Sequence, residues 1–275
     1  MSRVSRAFER AAQEGRGALV VYITAGDPNL QVTRELVRVI HEAGADIIEL
    51  GMPYSDPIAD GPTIQAAGQR ALAAGTTLNG ILAAVSAIRQ KSEVPLVLMT
   101  CFNPILQHGL GKFAARAAEA GIDGVLVSDL PPEEADEWVD AARAEGLDTI
   151  FLAAPTTPAD RARRIAELSR GFLYAVSRPG VTGVRDQLPE GLADFVAMLK
   201  SVSDLPVAVG FGISRPEQVR AVCSVADGAI VGSAVVEIIA RLGGAEDVFY
   251  AVQEFVSGLA RATRRESNDG RRRDP

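Results

Sequence analysis

Eight short aliphatic runs punctuate this chain, each followed by a polar loop and an Ala-rich stretch. They are ALVVYIT from Ala18, DIIELG from Asp46, PLVLMTC from Pro95, GVLVSDL from Gly124, DTIFLAAP from Asp148, FLYAVSR from Phe172, PVAVGFG from Pro206 and GAIVGS from Gly228. The runs are apolar almost throughout and do not alternate with polar residues. Strands of that kind are buried on both faces, as in a parallel sheet covered by helices. The intervening segments supply the helices: GKFAARAAEAG places Phe113, Ala117 and Ala120 on one face and ends at Gly121, a natural C-cap. Eight such units in about 250 residues fit a closed (β/α)8 barrel. The expected layout is one TIM-barrel domain over residues 1–260 and a basic C-terminal tail, 261–275, without apolar periodicity. An open doubly wound sheet is the alternative, but it commonly carries G-x-G-x-x-G after its first strand, and none stands here. The opening segment SRVSRAFERAAQEG pairs Val4 with Phe8 as a helix that would plug the barrel's bottom.

Composition narrows the setting. A net charge of −7 argues against a nucleic-acid surface. No run approaches the ~20 apolar residues of a membrane helix, and the first residues lack the apolar stretch of a secretion signal. Two cysteines, Cys101 and Cys223, form no disulfide framework and point to a reducing, cytoplasmic setting. The histidines, His41 and His108, have no neighbours at metal-ligand spacing, so no metal is expected.

In a barrel the chemistry gathers where strands end and loops to helices begin. The second run leads into ELGMPYSDPIADGPTIQ, Glu49 to Gln65. Strand side chains alternate, so Ile48 and Leu50 face the helix layer while Ile47, Glu49 and Gly51 face the lumen. A carboxylate in an apolar lumen has a raised pKa, suited to proton transfer near neutrality. A strand-end Glu capped by an Arg or by backbone amides is the plain structural alternative. Asp60 follows in a loop stiffened by Pro53 and Pro57.

The last three runs all end in glycine-bearing loops, SRPGVTGVR, GFGIS and GSAVVEIIARL. Gly183, Gly212 and Gly232 allow backbone to approach an anion, and Ser233 opens a short extra helix after the eighth strand. Free N–H groups and the helix dipole favour a phosphate there. The lysines are Lys91, Lys112 and Lys200. None falls at the lumenal end of a strand, which argues against Schiff-base chemistry, and two scattered histidines argue against a metal-dependent retro-aldol. What remains is carboxylate acid–base chemistry on a phosphorylated substrate, a description that also admits a sugar-phosphate isomerase.

Taken together, YITAGDP (Tyr22 to Pro28), the Glu49–Gln65 segment, MTCFNPI, VSDLP, FLAAPTTP, SRPGVTG, GFGIS and GSAVV resemble the tryptophan synthase alpha-subunit family, in order and over nearly the whole chain. The resemblance implies cleavage of indole-3-glycerol phosphate to indole and glyceraldehyde 3-phosphate. It implies no cofactor in this chain and a beta-subunit partner carrying pyridoxal phosphate, in an α2β2 heterotetramer. It makes Glu49 the catalytic acid/base and Asp60 its partner, kept ionised to hold the indole N–H. Tyr174 and Phe211 would line the pocket, and Gly183, Gly212, Gly232 and Ser233 would bind phosphate. Asp56 would meet the beta subunit, and Thr182, in the loop after the sixth run, is placed to reach Asp60 as that loop closes. A non-catalytic regulatory subunit is the other reading; intact Glu49 and Asp60 argue against it. Elsewhere, Asp129 reads as a turn or capping residue, and Trp138 and Cys101 as packing.

Overall fold

A computed structural model of the chain describes residues 1–57, 60–176, 190–210, 212–243 and 246–265. The aliphatic runs form strands β1 (Ala18–Thr24), β2 (Ile47–Gly51), β3 (Leu96–Thr100), β4 (Gly124–Val127), β5 (Asp148–Ile150), β6 (Leu152–Ala153), β7 (Leu173–Val176), β8 (Val207–Gly210) and β9 (Gly228–Val231). They pair in the order β5-β4-β3-β2-β1-β9-β8-β7-β6, and every pairing is parallel. The two ends of that order are consecutive in sequence, separated only by Phe151. The Tyr174 N–H reaches the Phe151 carbonyl at 3.2 Å. The sheet therefore closes on itself, and the nine strands fill eight barrel positions. DTIFLAAP, expected as one strand, is broken at Phe151, yet its side chains keep alternating through the break. Ile150 joins the lumenal core, Phe151 the helix-facing one, and Leu152 packs against the lumenal one.

Burial on both faces explains why the strands lack polar alternation. Leu19, Val21, Ile23, Ile48 and Leu50 face the helices. Val20, Ile47, Val97, Leu126, Ile150 and Ile230 fill the lumen. A TIM barrel is thus packed inside as well as out. Helix α1 (Arg3–Gln13) is N-capped by Ser2 and buries Val4, Ala7, Phe8 and Ala11. These join the lumenal cluster, and Phe8 lies 5.3 Å from Phe172, ring centre to ring centre. The opening helix does plug the bottom.

Helix α2 (Leu30–Glu42) follows β1; α3 (Pro62–Ala73) and α4 (Leu78–Arg89) follow β2; α5 (Phe102–His108) and α6 (Leu110–Ala120) follow β3. Gly121 ends α6 at φ +99°, a left-handed cap that glycine adopts freely. Phe113 of α6 meets Trp138 of α7 (Asp136–Ala144) edge-on at 5.7 Å, so Trp138 is packing. The remaining helices are α8 (Ala159–Leu168), α9 (Leu192–Val202), α10 (Pro216–Cys223), α11 (Ser233–Leu242) and α12 (Asp247–Ala262). Among the described residues no single helix is long and apolar enough to cross a membrane.

At the floor, three aspartates precede β2, β4 and β9, and each accepts an N–H from a neighbouring strand. Asp46 takes Leu19 at 2.9 Å, Asp123 takes Leu96 at 2.8 Å and Asp227 takes Val207 at 3.0 Å. Residues 261–265, assigned above to the tail, instead finish α12 and join the floor. The Gly17 N–H bonds Thr263 O at 2.9 Å, the Arg265 N–H bonds Gly15 O at 3.1 Å, and Arg16 bridges Arg264. Residues 266–275 of the expected tail lie outside the described residues.

Candidate active site

Glu49 sits near the C-terminal end of β2, on the lumenal face with Ile47. It is 2% exposed, and neither carboxylate oxygen has a hydrogen-bond partner. The strand-end alternative, a Glu capped by Arg or amides, therefore fails. Burial, reinforced by the nearby charge of Asp60, raises the Glu49 carboxyl to about 8. Without a donor or cation, a buried carboxyl is better neutral than charged.

Asp60 closes the loop after β2, one residue before the N-cap of α3. Its N–H bonds Pro57 O at 3.1 Å, and Gln65, a turn into the helix, donates to its backbone carbonyl at 2.9 Å. The loop is thus tied to the helix while the side chain is left over. No described residue donates to the Asp60 carboxylate, and half-burial raises its carboxyl above the usual range. Burial thus works against the expectation of an Asp kept ionised, though less than at Glu49, which lies deeper and is raised to about 8.

A cavity of about 420 Å³ opens at this end of the barrel. Tyr22, Asp60, Tyr174, Gly212, Gly232 and Ser233 are among its walls. Gly212 adopts φ +72° with open space where a Cβ would stand. At Gly232 a Cβ would come within 3.3 Å of Tyr22, a tight approach that glycine relieves. The N–H groups of Val235 and Val236 turn back to Gly232 O at 2.8 and 3.1 Å, and no side chain caps α11. The N–H groups of Ser233 and Ala234 find no acceptor among the described residues and open toward the cavity. An uncapped helix start of this kind has the free N–H groups and dipole that favour an anion. Tyr174 lies in the lumen with its phenol raised by burial, and its hydroxyl fills the space that a Cβ on Gly210 would enter.

Two expected site residues, Gly183 and Phe211, lie outside the described residues, as does Thr182. Asp56 is exposed on the same rim, taking a hydrogen bond from Ser55 at 2.7 Å. The other polar groups are occupied structurally. Asp129 accepts the Phe102 N–H that opens α5, at 2.6 Å. His41 and His108 each place Nδ1 near a backbone carbonyl of their own segment, Ala45 O and Pro104 O. Lys200 stands at the floor, 2.9 Å from Asp227.

A barrel holding two carboxyls that lack a hydrogen-bond partner among the described residues, with an uncapped helix start at the same cavity, narrows the chemistry, and comparison with known proteins settles the family. The family model described as tryptophan synthase alpha chain matches residues 8–264. The chain belongs to that family. A tryptophan synthase alpha chain from Geobacter sulfurreducens is 50% identical over 262 residues, covering 95% of this chain and 99% of the relative. One from Solibacter usitatus is 48% identical, covering 95% and 98%. The crystal structure of tryptophan synthase subunit alpha from Legionella pneumophila superposes with a TM-score of 0.89 at 38% identity, covering 96% and 98%. A chain of M. tuberculosis tryptophan synthase does so with 0.87 at 36%, covering 96% and 100%. The alpha chain of tryptophan synthase is the lyase subunit that acts on indole-3-glycerol phosphate, and membership implies a beta-subunit partner.

Against that family frame, sequence reasoning passed over Tyr22, Met99, Ile64 and Glu237, which also wall the cavity. Tyr22 was within reach: it shares the lumenal face of β1 with Val20 and follows it by two residues. Glu237, four residues after Ser233 on α11, was also placed by helical spacing. Ile64 and Met99 carried no signal separating a cavity wall from core.

Proposed function

We propose that this alpha chain cleaves indole-3-glycerol phosphate with Glu49 as the proton carrier and Asp60 as the stabilising carboxylate. The observation supporting this most directly is Glu49: a buried, partnerless, protonated carboxyl at the catalytic end of the lumen, beside a second acid. The ring carbon C3 of indole is a poor carbanion leaving group, so its bond to the glycerol chain does not break directly. Proton transfer from Glu49 to C3 makes the ring an indoleninium that accepts the bonding electrons. Glu49, now a carboxylate, takes the proton of the adjacent chain hydroxyl as the aldehyde forms and the C–C bond breaks. Electrons return to the ring, indole leaves, and the acid is restored in the same turnover. Asp60 at the mouth accepts the indole N–H and stabilises the cationic ring. Depth separates the roles: the fully buried Glu49 holds its proton to about 8, while Asp60 is only half-buried at the mouth.

The phosphate would dock on the N–H groups of Ser233 and Ala234 with the backbone of Gly212 and Gly232, and with Gly183. Tyr174 and Phe211 would flank the indole. The barrel and α1 would act as one domain that runs on through Arg265. Asp56, exposed beside the mouth, belongs to the face that meets the beta subunit. That subunit would bring pyridoxal phosphate and complete an α2β2 assembly in the cytoplasm, with indole passing on to it. A test is single-turnover indole release: the wild-type chain should yield one equivalent, and Asp60→Asn should slow it about 10²-fold. Wild-type speed in that variant would remove Asp60 from the mechanism.

A further inference from the structure

Tyr22 occupies a place that the acid–base scheme leaves unused. It pairs in register with Glu49 across β1 and β2, on the same lumenal face, so the two side chains leave neighbouring backbones in the same direction. The next lumenal position on β2 is Gly51. A Cβ there would stand 2.0 Å from the Tyr22 hydroxyl, so the phenol oxygen occupies the space directly above Glu49 that Gly51 leaves empty. The ring is fixed in a small apolar cluster with Ala67 and Val236, backed by Ile64 and Met99. Among the described residues the hydroxyl has one hydrogen-bond partner, Thr24 Oγ1 at 3.3 Å, either oxygen able to donate. That leaves one further hydrogen-bonding position on the phenol. Tyr22 also walls the cavity beside Asp60.

We propose that Tyr22 is a positioning residue for the lyase reaction, its hydroxyl serving as a neutral donor between Glu49 and Asp60 that turns to whichever carboxylate is charged. The inference rests on the roles given above to those two acids. Burial, with the charges of Asp60 and then Glu49, raises the phenol well above its usual value, so it stays protonated and able to donate. The groups around it are few. Glu49 stands on β2, Asp60 ahead of α3, Tyr174 on β7, and Cys101 at the end of β3, which also feels Asp60. Asp27, beyond β1, is already bound by Arg70 through two contacts of 2.8 and 2.7 Å. No described cation faces Glu49, so a phenol is the donor at hand when the glutamate gives its proton to C3.

The test is Tyr22→Phe, which keeps the ring, its packing and the approach to Gly232 while deleting one oxygen. With the alpha chain in complex with its beta subunit, kcat should fall about tenfold, the scale of a lost hydrogen bond to a charged group, and KM should stay nearly unchanged. The descending limb of the kcat–pH profile should move up by roughly one pH unit, because the Glu49 carboxylate has lost a donor. An infrared titration of the Glu49 carboxyl in the resting protein should move the same way, and Thr24→Val should shift neither by as much. A kcat and pH limb matching wild type, or an effect on KM alone, would overturn the proposal. Glu49→Gln, run alongside, separates the failures: an active Glu49→Gln refutes the role of Glu49 itself. An inactive one beside an unaltered Tyr22→Phe refutes only the role of the phenol.

Discussion

Acids stand at both ends of this barrel, and they live under opposite conditions. At the floor, Asp46 receives Arg16 at 2.6 and 2.8 Å and the Leu19 N–H at 2.9 Å. Asp123 meets both Arg3 and Arg89, and Asp227 meets Lys200 and Arg265. At the mouth, Glu49 has no partner and Asp60 has none among the described residues. The floor uses charge to fasten strand ends, and each of these three carboxylates meets a cation and a strand N–H. The mouth keeps carboxyls unanswered, a destabilising arrangement that a fold of this size can carry and that leaves protons free to move. An acid at the floor is structural; the same group at the mouth is reactive.

Breaking that contrast begins with Glu49→Gln, which should lower kcat by about 10²–10⁴-fold while inorganic phosphate still binds, as titration calorimetry would show. Next comes the opposite phenotype. Asp46→Asn should remove the charge that Arg16 and Arg10 share there and cost roughly 3 kcal/mol in denaturant titration, with kcat per folded molecule unchanged. A large kcat effect there would erase the distinction between the two ends.

The contrast sharpens with pH. Unfolded, Glu49 loses its proton near 4.5; folded, it keeps it to about 8. Between those values the folded state holds the extra proton, so the Glu49 contribution to stability falls as pH rises from 4.5 through 8 and levels off above. Glu49→Gln removes that dependence. Its stability should match the wild type near pH 4 and exceed it at pH 8, by on the order of 4 kcal/mol. Curves that stay parallel would contradict the burial argument. The smallest effect belongs to Lys200→Ala: that pair with Asp227 is well exposed, so its loss should cost less than about 1 kcal/mol.

Much of this was legible in sequence. Two-sided burial leaves runs such as ALVVYIT without alternation, and that alone forced a parallel sheet under helices. Period two along DIIELG was enough to send Glu49 inward, because Ile48 and Leu50 needed the helix layer. Gly232 and Ser233 were readable because a helix start after the last strand has few uses. Other features depend on groups far apart in the chain. The break at Phe151 reflects closure of the barrel between β5 and β7, which no local pattern encodes. That no described residue donates to the Asp60 carboxylate is a property of its surroundings, which the sequence around it does not encode. Residues 261–265 looked like tail because their partners, Gly15 to Gly17, lie at the other end of the sequence.

That last contact bears on how the molecule is made. Strand β1 pairs with β9, and the α1–β1 turn is fastened by Thr263 to Arg265. A nascent polypeptide leaving the ribosome therefore carries an open sheet with a bare β1 edge until β9 emerges, and such edges invite aggregation. The plug beneath the lumen locks only after translation has reached the last helix.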